Sequence, residues 1–237
     1  MFEPDEDNLM TRFRCAVVFM LITVASALAP QSTSGGSDES QQLFNGKDLD
    51  GWVAEGQVES TKDGAVRPVW TAEKGKIICR GQGFGFLRYN RREFGDFAFH
   101  VEYRMAPGCN SGLGIRTTAF DAAKSKATRP SYYSYEIQLM DDAGKPATKL
   151  GTASLYRYVA PTENAARPAS EWNNIDVECV GPKIKVTLNG KLVIDVDQRK
   201  VEGLEKKPLS GYVCLQNHGG TIEFRDIRVK ELRTGTP

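Results

Sequence analysis

Lys183-Ile184-Lys185-Val186-Thr187-Leu188-Asn189-Gly190-Lys191-Leu192-Val193-Ile194-Asp195-Val196 decides the fold class of this chain. Ile184, Val186 and Leu188 alternate with Lys183, Lys185 and Thr187, a period of two that puts apolar and polar groups on opposite faces of a strand. A second run begins two residues later. Asn-Gly between such runs favours the positive φ values of a type I′ turn, so the stretch reads as an antiparallel hairpin. Outward from it, short runs of the same kind recur between Gly, Pro and Asn. They are KIICR (76–80), DFAFHVEYRM (96–105), SGLGIRTT (111–118), SYEIQLM (134–140), NIDVECV (174–180), GYVCLQN (211–217) and TIEFRDIRVKEL (221–232). No window carries a sustained i, i+3, i+4, i+7 stripe, so helices are expected to be few and short. Strands at this spacing suggest a sandwich or a barrel, and an all-β sandwich of two antiparallel sheets is the expected architecture.

The 237 residues divide unevenly. Arg12 and Arg14 precede an apolar run, Cys15 to Ala29, ending in Ala27-Leu28-Ala29. A basic segment, a short apolar core and an A-x-A site read as a secretory signal over residues 1–29. At about 15 residues the run is short of the roughly 20 a bilayer span needs, so export, periplasmic or secreted, is expected without a lasting membrane anchor. Residues 30–41, rich in Ser, Gly and Gln, read as a flexible leader. Residues 42–233 form the expected domain. Setting aside residues 1–29 removes two arginines and four acidic groups from 31 basic and 30 acidic residues, leaving 29 and 26. That balance, with no basic run interleaved with aromatics, gives no footprint for nucleic acid. Cys79, Cys109, Cys179 and Cys214 remain. An exported compartment permits disulfides, three pairings are open, and buried free thiols are the plainer reading.

Strand parity separates a core face from a displayed one. Ile137 and Leu139 oppose Glu136 and Gln138; Leu113 and Ile115 oppose Gly112, Gly114 and Arg116; Val213 and Leu215 oppose Gln216 and His218. If these strands share a sheet, Arg116, Glu136, Gln138, Gln216 and His218 cluster on its non-core side, with Gly112 and Gly114 leaving floor space for a ligand. The polar stretches 119–133 and 141–170 are long enough to wall that face. A solvated outer face would also be polar, and cross-strand Arg–Glu pairs are ordinary there. His100, the other histidine, reads as a surface or structural residue. No cofactor fingerprint or zinc spacing is evident, and no G-x-S-x-G, H-E-x-x-H or Walker sequence occurs. The strand Glu136-Ile137-Gln138-Leu139-Met140 offers one carboxylate, whereas ordinary glycoside hydrolysis wants two that face each other.

Several blocks resemble one family in order along the chain. Leu43-Phe44-Asn45-Gly46-Lys47-Asp48-Leu49-Asp50-Gly51-Trp52 is similar to its opening. Asn110-Ser111-Gly112 through Arg116, Tyr135-Glu136-Ile137-Gln138-Leu139-Met140-Asp141-Asp142 and Glu171-Trp172-Asn173 resemble internal blocks. Leu188-Asn189-Gly190, Leu215-Gln216-Asn217-His218-Gly219 and Phe224-Arg225-Asp226-Ile227 complete the set. The family is the 3-keto-disaccharide hydrolases, described as 3-keto-glucoside 1,2-lyases with 3-keto-2-hydroxy-glucal hydratase activity. The resemblance implies a concanavalin A-like jelly roll that cleaves 3-keto-glycosides by elimination at C1–C2 followed by hydration, with a small carbohydrate as partner. It implies Glu136 and His218 as the acid–base groups, and Arg116, Gln138 and Gln216 holding the sugar. Asn110, Tyr156 and Trp172 are weaker candidates for the rim, and Trp172 reads equally well as core. Many members carry a histidine just before Leu-Asn-Gly; this chain has Val186-Thr187, so no role for that histidine carries over. A non-catalytic, lectin-like sugar-binding sandwich is the alternative from another function class.

Overall fold

A computed structural model describes residues 40–61 and 64–232. The expected signal segment and the leader up to residue 39 lie outside the described residues. Two antiparallel sheets form a sandwich. The larger sheet has eight strands. Across it run β13 (Lys191–Asp197), β12 (Lys183–Leu188), β11 (Asn173–Val180), β8 (Phe97–Met105), β15 (Ile222–Glu231), β6 (Lys76–Cys79) and β5 (Trp70–Glu73). The two-residue β1 (Gln41–Gln42) also pairs with β15, matching Gln41 to Val229. The smaller sheet runs β10 (Tyr135–Met140), β9 (Asn110–Thr117), β14 (Tyr212–Asn217), β7 (Gly85–Tyr89) and β2 (Trp52–Gly56). A ribbon of β3 (Glu59–Ser60) and β4 (Arg67–Pro68) stands apart from both. All nine runs read from the sequence are strands here, and the β1–β15 pairing joins the start and end of the domain.

The period of two explains the core. Phe97, Phe99, Val101 and Tyr103 of β8 are buried, as are Ile175, Val177 and Cys179 beside them in β11. They belong to one apolar cluster with Leu113, Ile115, Ile137, Leu139, Val213 and Leu215 of the smaller sheet. Each large side chain so buried contributes about 1.5–3 kcal/mol relative to exposure. In the hairpin, Asn189 has φ 50° and Gly190 φ 80°, the two positive values a type I′ turn needs. A bulge follows at Val186/Thr187, where Val186 pairs with Ile194 but Thr187 with Leu192. The extra residue lets Val193 and Ile194 both be buried while Leu192 is exposed. All four cysteines of the domain are buried and free.

Apart from its edge strand β2, the smaller sheet is buried on both faces, which simple alternation does not predict. Every residue of β7 is buried, as is all of β9 after Asn110. Part of the cover is 119–133, which holds two single-turn helices, α1 (Ser125–Thr128) and α2 (Pro130–Tyr133). Another part is 141–170, in which no regular strand or helix forms. Its middle runs along the free edge of β10: Ala153 N donates to Gln138 O at 2.8 Å and Tyr156 N to Glu136 O at 2.9 Å. Asp142 pins this segment, accepting from Thr152 N at 2.9 Å and from Thr152 Oγ1 at 2.6 Å. Among the described residues no helix is long and apolar enough to cross a membrane.

Candidate functional site

Registry across the smaller sheet sets the site in rows. Glu136 pairs with Gly114, which pairs with Cys214, which pairs with Arg88. One row along, Gln138 pairs with Gly112, and Gln216 pairs with Phe86 and Phe86 with Glu55. Directly opposed residues share a face, so these side chains all stand on the side away from the larger sheet. Gln216 Nε2 donates to Glu136 Oε1 at 2.8 Å. The Gln138 amide is satisfied when its nitrogen faces Glu136 Oε1 (3.3 Å) and Ser111 O (3.1 Å) and its oxygen faces the Asn110 side-chain amide (3.2 Å). Glu136, Gln138, Gln216 and Asn110 are thus one connected set.

The glycines do not leave open floor. A Cβ on Gly112 would come 3.2 Å from Glu136 Cγ, and one on Gly114 would come 2.4 Å from Cys214 Sγ and 3.0 Å from Pro130 Cγ. Their missing side chains let the glutamate lie flat and let α2 descend onto the sheet. As a result Glu136, Gln138 and Gln216 are buried rather than displayed. Burial pushes the Glu136 carboxyl above the ordinary glutamate value, against the hydrogen bond from Gln216 and the nearby charges of Arg129 and Arg157. The Ser131 hydroxyl opposes the rise from close by, yet neither its Oγ nor Glu136 Oε2 meets a partner at hydrogen-bond geometry. One oxygen of a buried carboxyl is therefore held and the other is uncommitted.

His218 follows β14 on the same side, its ring edge-on to Phe84 with centroids 5.1 Å apart. Partial burial lowers its pKa, and the charge of Arg129 lowers it further. Tyr156, placed by its bond to Glu136 O, presents its ring to Arg157 at 5.4 Å. Two predicted residues stand elsewhere. Arg116 is fully buried but not in the cluster: its Nη1 donates to Gly181 O at 2.8 Å and its Nη2 to Gly95 O at 2.9 Å, with Asp96 at 3.5 Å. Its φ of 52° and the β14–β9 register shift at Tyr212/Cys214 break the parity that placed it with Glu136. Trp172 packs its ring against Arg225 at 3.8 Å and Arg104 at 5.0 Å, both carried by the larger sheet, away from Glu136.

Residues 39–230 match the 3-keto-alpha-glucoside-1,2-lyase-like domain family. The chain belongs to that family. A 3-keto-disaccharide hydrolase of Bacteroides thetaiotaomicron is 28% identical over 230 residues, spanning 80% of this chain and 77% of the relative. A Parabacteroides distasonis protein solved as a candidate glycosyl hydrolase superposes with a TM-score of 0.67 at 21% identity, covering 82% of this chain and 94% of that one. The exoplasmic/lumenal domain of VIP36, solved with calcium and Man3GlcNAc, gives a TM-score of 0.53 at 9% identity over 84% of this chain and 93% of that one. These two likenesses bear on the fold, the jelly-roll sandwich expected of the lyase-like family.

In this lyase-like domain, Val186 is a fully buried core residue of the larger sheet. Sequence reasoning missed Arg129, Arg157, Tyr132 and Phe84, which stand around Glu136 and His218. The Arg129 guanidinium lies 4.1 Å over the Phe84 ring, and Arg157 Nη1 donates to Tyr132 Oη at 2.9 Å. They sit on loops, where no periodicity marks a face; Arg-Pro and the aromatics of 129–133 are the only local signal. Lys207 supports the same turn, its Nζ donating to Tyr132 O at 2.8 Å and Ser134 O at 2.5 Å. Burial lowers its pKa to about 8. On the larger sheet, His100, Glu102 and Asp226 bring potential metal-ligand atoms within 4.8 Å of one another. Arg225 already donates to Glu102 at 2.5 Å and Arg228 lies 2.9 Å from Asp226, so the acids are neutralised without an ion. Burial pushes the Cys79 and Cys109 thiols up to about 12, which removes them as nucleophiles.

Proposed function

We propose that this protein cleaves 3-keto-glycosides by elimination across C1–C2 and then hydrates the product, a net hydrolysis. The carrying observation is Glu136: a buried carboxyl with a raised pKa, one oxygen held by Gln216 and the other uncommitted. A ketone at C3 acidifies the hydrogen on C2. Glu136, as carboxylate, takes that proton, and the electron pair moves onto the C3 oxygen as an enolate. Re-forming the carbonyl pushes the pair into a C1–C2 double bond and expels the aglycone oxygen from C1, to which His218 gives a proton. Water then adds across C1–C2, oxygen to C1 and hydrogen to C2, giving the free 3-keto sugar. One base of raised pKa suits this step, because its strength as a base rises with its pKa. The Gln138 and Gln216 amides supply donors for the sugar and the enolate. Membership of the lyase-like family and the name of the Bacteroides relative support the substrate class.

A panel of 3-keto-glycosides tests this directly. Glu136→Gln should slow turnover by about two to four orders of magnitude, and His218→Ala comparably if it protonates the leaving group. Parent rates in both variants would reject the assignment. A sandwich that only bound sugar would instead release no aglycone at all, while losing affinity when its aromatic rim is truncated.

A further inference from the structure

We infer that Arg129 and Arg157, beside Glu136, form an anion subsite that selects sugars bearing an oxyanionic substituent. Its position beside a sugar rests on the proposed function; the affinity for the anion does not. The two guanidinium groups share one aromatic platform. Arg129 lies 4.1 Å over Phe84 and 6.0 Å from the Tyr132 centroid. Arg157 lies 4.8 Å over Tyr132 and 5.4 Å over Tyr156. Stacking on ring faces fixes the guanidinium planes and leaves their N–H edges available for hydrogen bonds.

Neither group has a carboxylate partner within ion-pair distance among the described residues, whereas Arg88 has Glu55 at 2.8 Å and Arg116 has Asp96 at 3.5 Å. The Arg129 Nε is also buried with no hydrogen-bond partner, a cost that a native protein seldom leaves standing without use. The Glu136 carboxyl feels both charges without an ion pair to either guanidinium, and burial disfavours its ionised form. Partial burial, and then the charge of Arg129, lower the His218 pKa. The pair therefore carries two positive charges, with the Arg129 Nε unpaired and one Arg157 donor taken by Tyr132 Oη. Arg157 further adopts φ 76°, a conformation a bulky side chain takes only where its surroundings impose it. A carboxylate or a phosphate accepts two parallel bonds from a guanidinium, which is the geometry such a fork offers.

Titration calorimetry on the full chain at constant ionic strength, with D-glucuronate, glucose 6-phosphate and neutral glucose, tests this without turnover. Both anions, or one of them, should bind about ten- to a hundredfold tighter than glucose, as charge-assisted bonds predict. Which anion wins separates a carboxylate from a phosphate subsite. Arg129→Gln and Arg157→Gln should each abolish the preference, and Arg129→Lys should keep part of it. Unfolding midpoints control for structure, and Arg157 is exposed, so its variant reads the subsite even if Arg129→Gln folds poorly. Equal affinity for all three sugars, or a preference unchanged in both Gln variants, overturns the proposal. So does a pattern in which Arg129→Gln lowers only kcat on neutral 3-keto-glycosides, which would make Arg129 an enolate stabiliser. Glu136→Gln should retain the anion preference, so loss of the catalytic assignment and loss of this one are read separately.

Discussion

Glu136 is both the proposed base and a source of instability, and the two follow from one fact. A carboxyl whose pKa is raised by burial binds its proton more tightly folded than unfolded. Its contribution to stability is complete below the ordinary value of 4.5 and is lost as pH rises through the folded-state pKa. Glu136→Gln removes that loss while still accepting from Gln216. Its thermal midpoint at pH 7 should equal or exceed the parent's although turnover collapses; a fall of several degrees would contradict the burial argument. The rate profile carries a second expectation. The base must be ionised, so kcat/KM rises with pH through the raised Glu136 pKa; the acid must be protonated, so it falls through the lowered His218 pKa. The base limb should therefore lie above the ordinary 4.5 and the acid limb below the ordinary 6.5. A plateau extending above pH 8 would remove His218 as the proton donor.

Elements hold these residues in place, and the Asn189 turn shows how one of them couples to the rim. Asn189 Nδ2 donates to Ala165 O and to Asn173 Oδ1, each at 2.8 Å, while its Oδ1 accepts from Asn174 N at 3.0 Å. The turn residue thus ties the hairpin to β11 and to the 141–170 segment that borders Glu136. Asn189→Ala should cost about 2–3 kcal/mol in urea unfolding, combining a positive φ on alanine with lost bonds. Asn189→Gly keeps the backbone and should cost less; equal losses in the two would mean that φ is unimportant. This hairpin was legible from sequence because alternation and Asn-Gly are local signals. Parity likewise grouped Glu136, Gln138 and Gln216 correctly. β7 was not legible, since a five-residue strand buried on both faces has no alternation to read. Arg129 and Arg157 were hidden for the complementary reason: they sit in loops whose path is set by contacts distant in sequence.

Across the whole molecule, Arg116 marks where sequence parity and three-dimensional structure part company. Its backbone belongs to β9 in the smaller sheet, but its guanidinium reaches Gly95 O, at the approach to β8, and Gly181 O, just after β11. It is a clasp between the two layers of the sandwich, with Asp96 supplying the compensating charge. The positive φ that turns it inward is invisible in a sequence, because few non-glycine residues adopt it and none advertises it. The two placements predict opposite phenotypes. If Arg116 held sugar, Arg116→Ala would weaken substrate binding and leave folding intact. As an inter-sheet clasp, its loss strands two carbonyls and a carboxylate and should cost about 3 kcal/mol. For a domain of this size that is a fall of roughly 6–12 °C in Tm. Turnover per folded molecule at 20 °C, well below the new midpoint, should stay within about twofold of the parent, because no Arg116 atom touches the Glu136 set. Paired calorimetry and kinetics on the variant decide it: an unchanged midpoint with a raised KM would return Arg116 to the sugar, and a lowered midpoint with parental kcat/KM keeps it between the sheets.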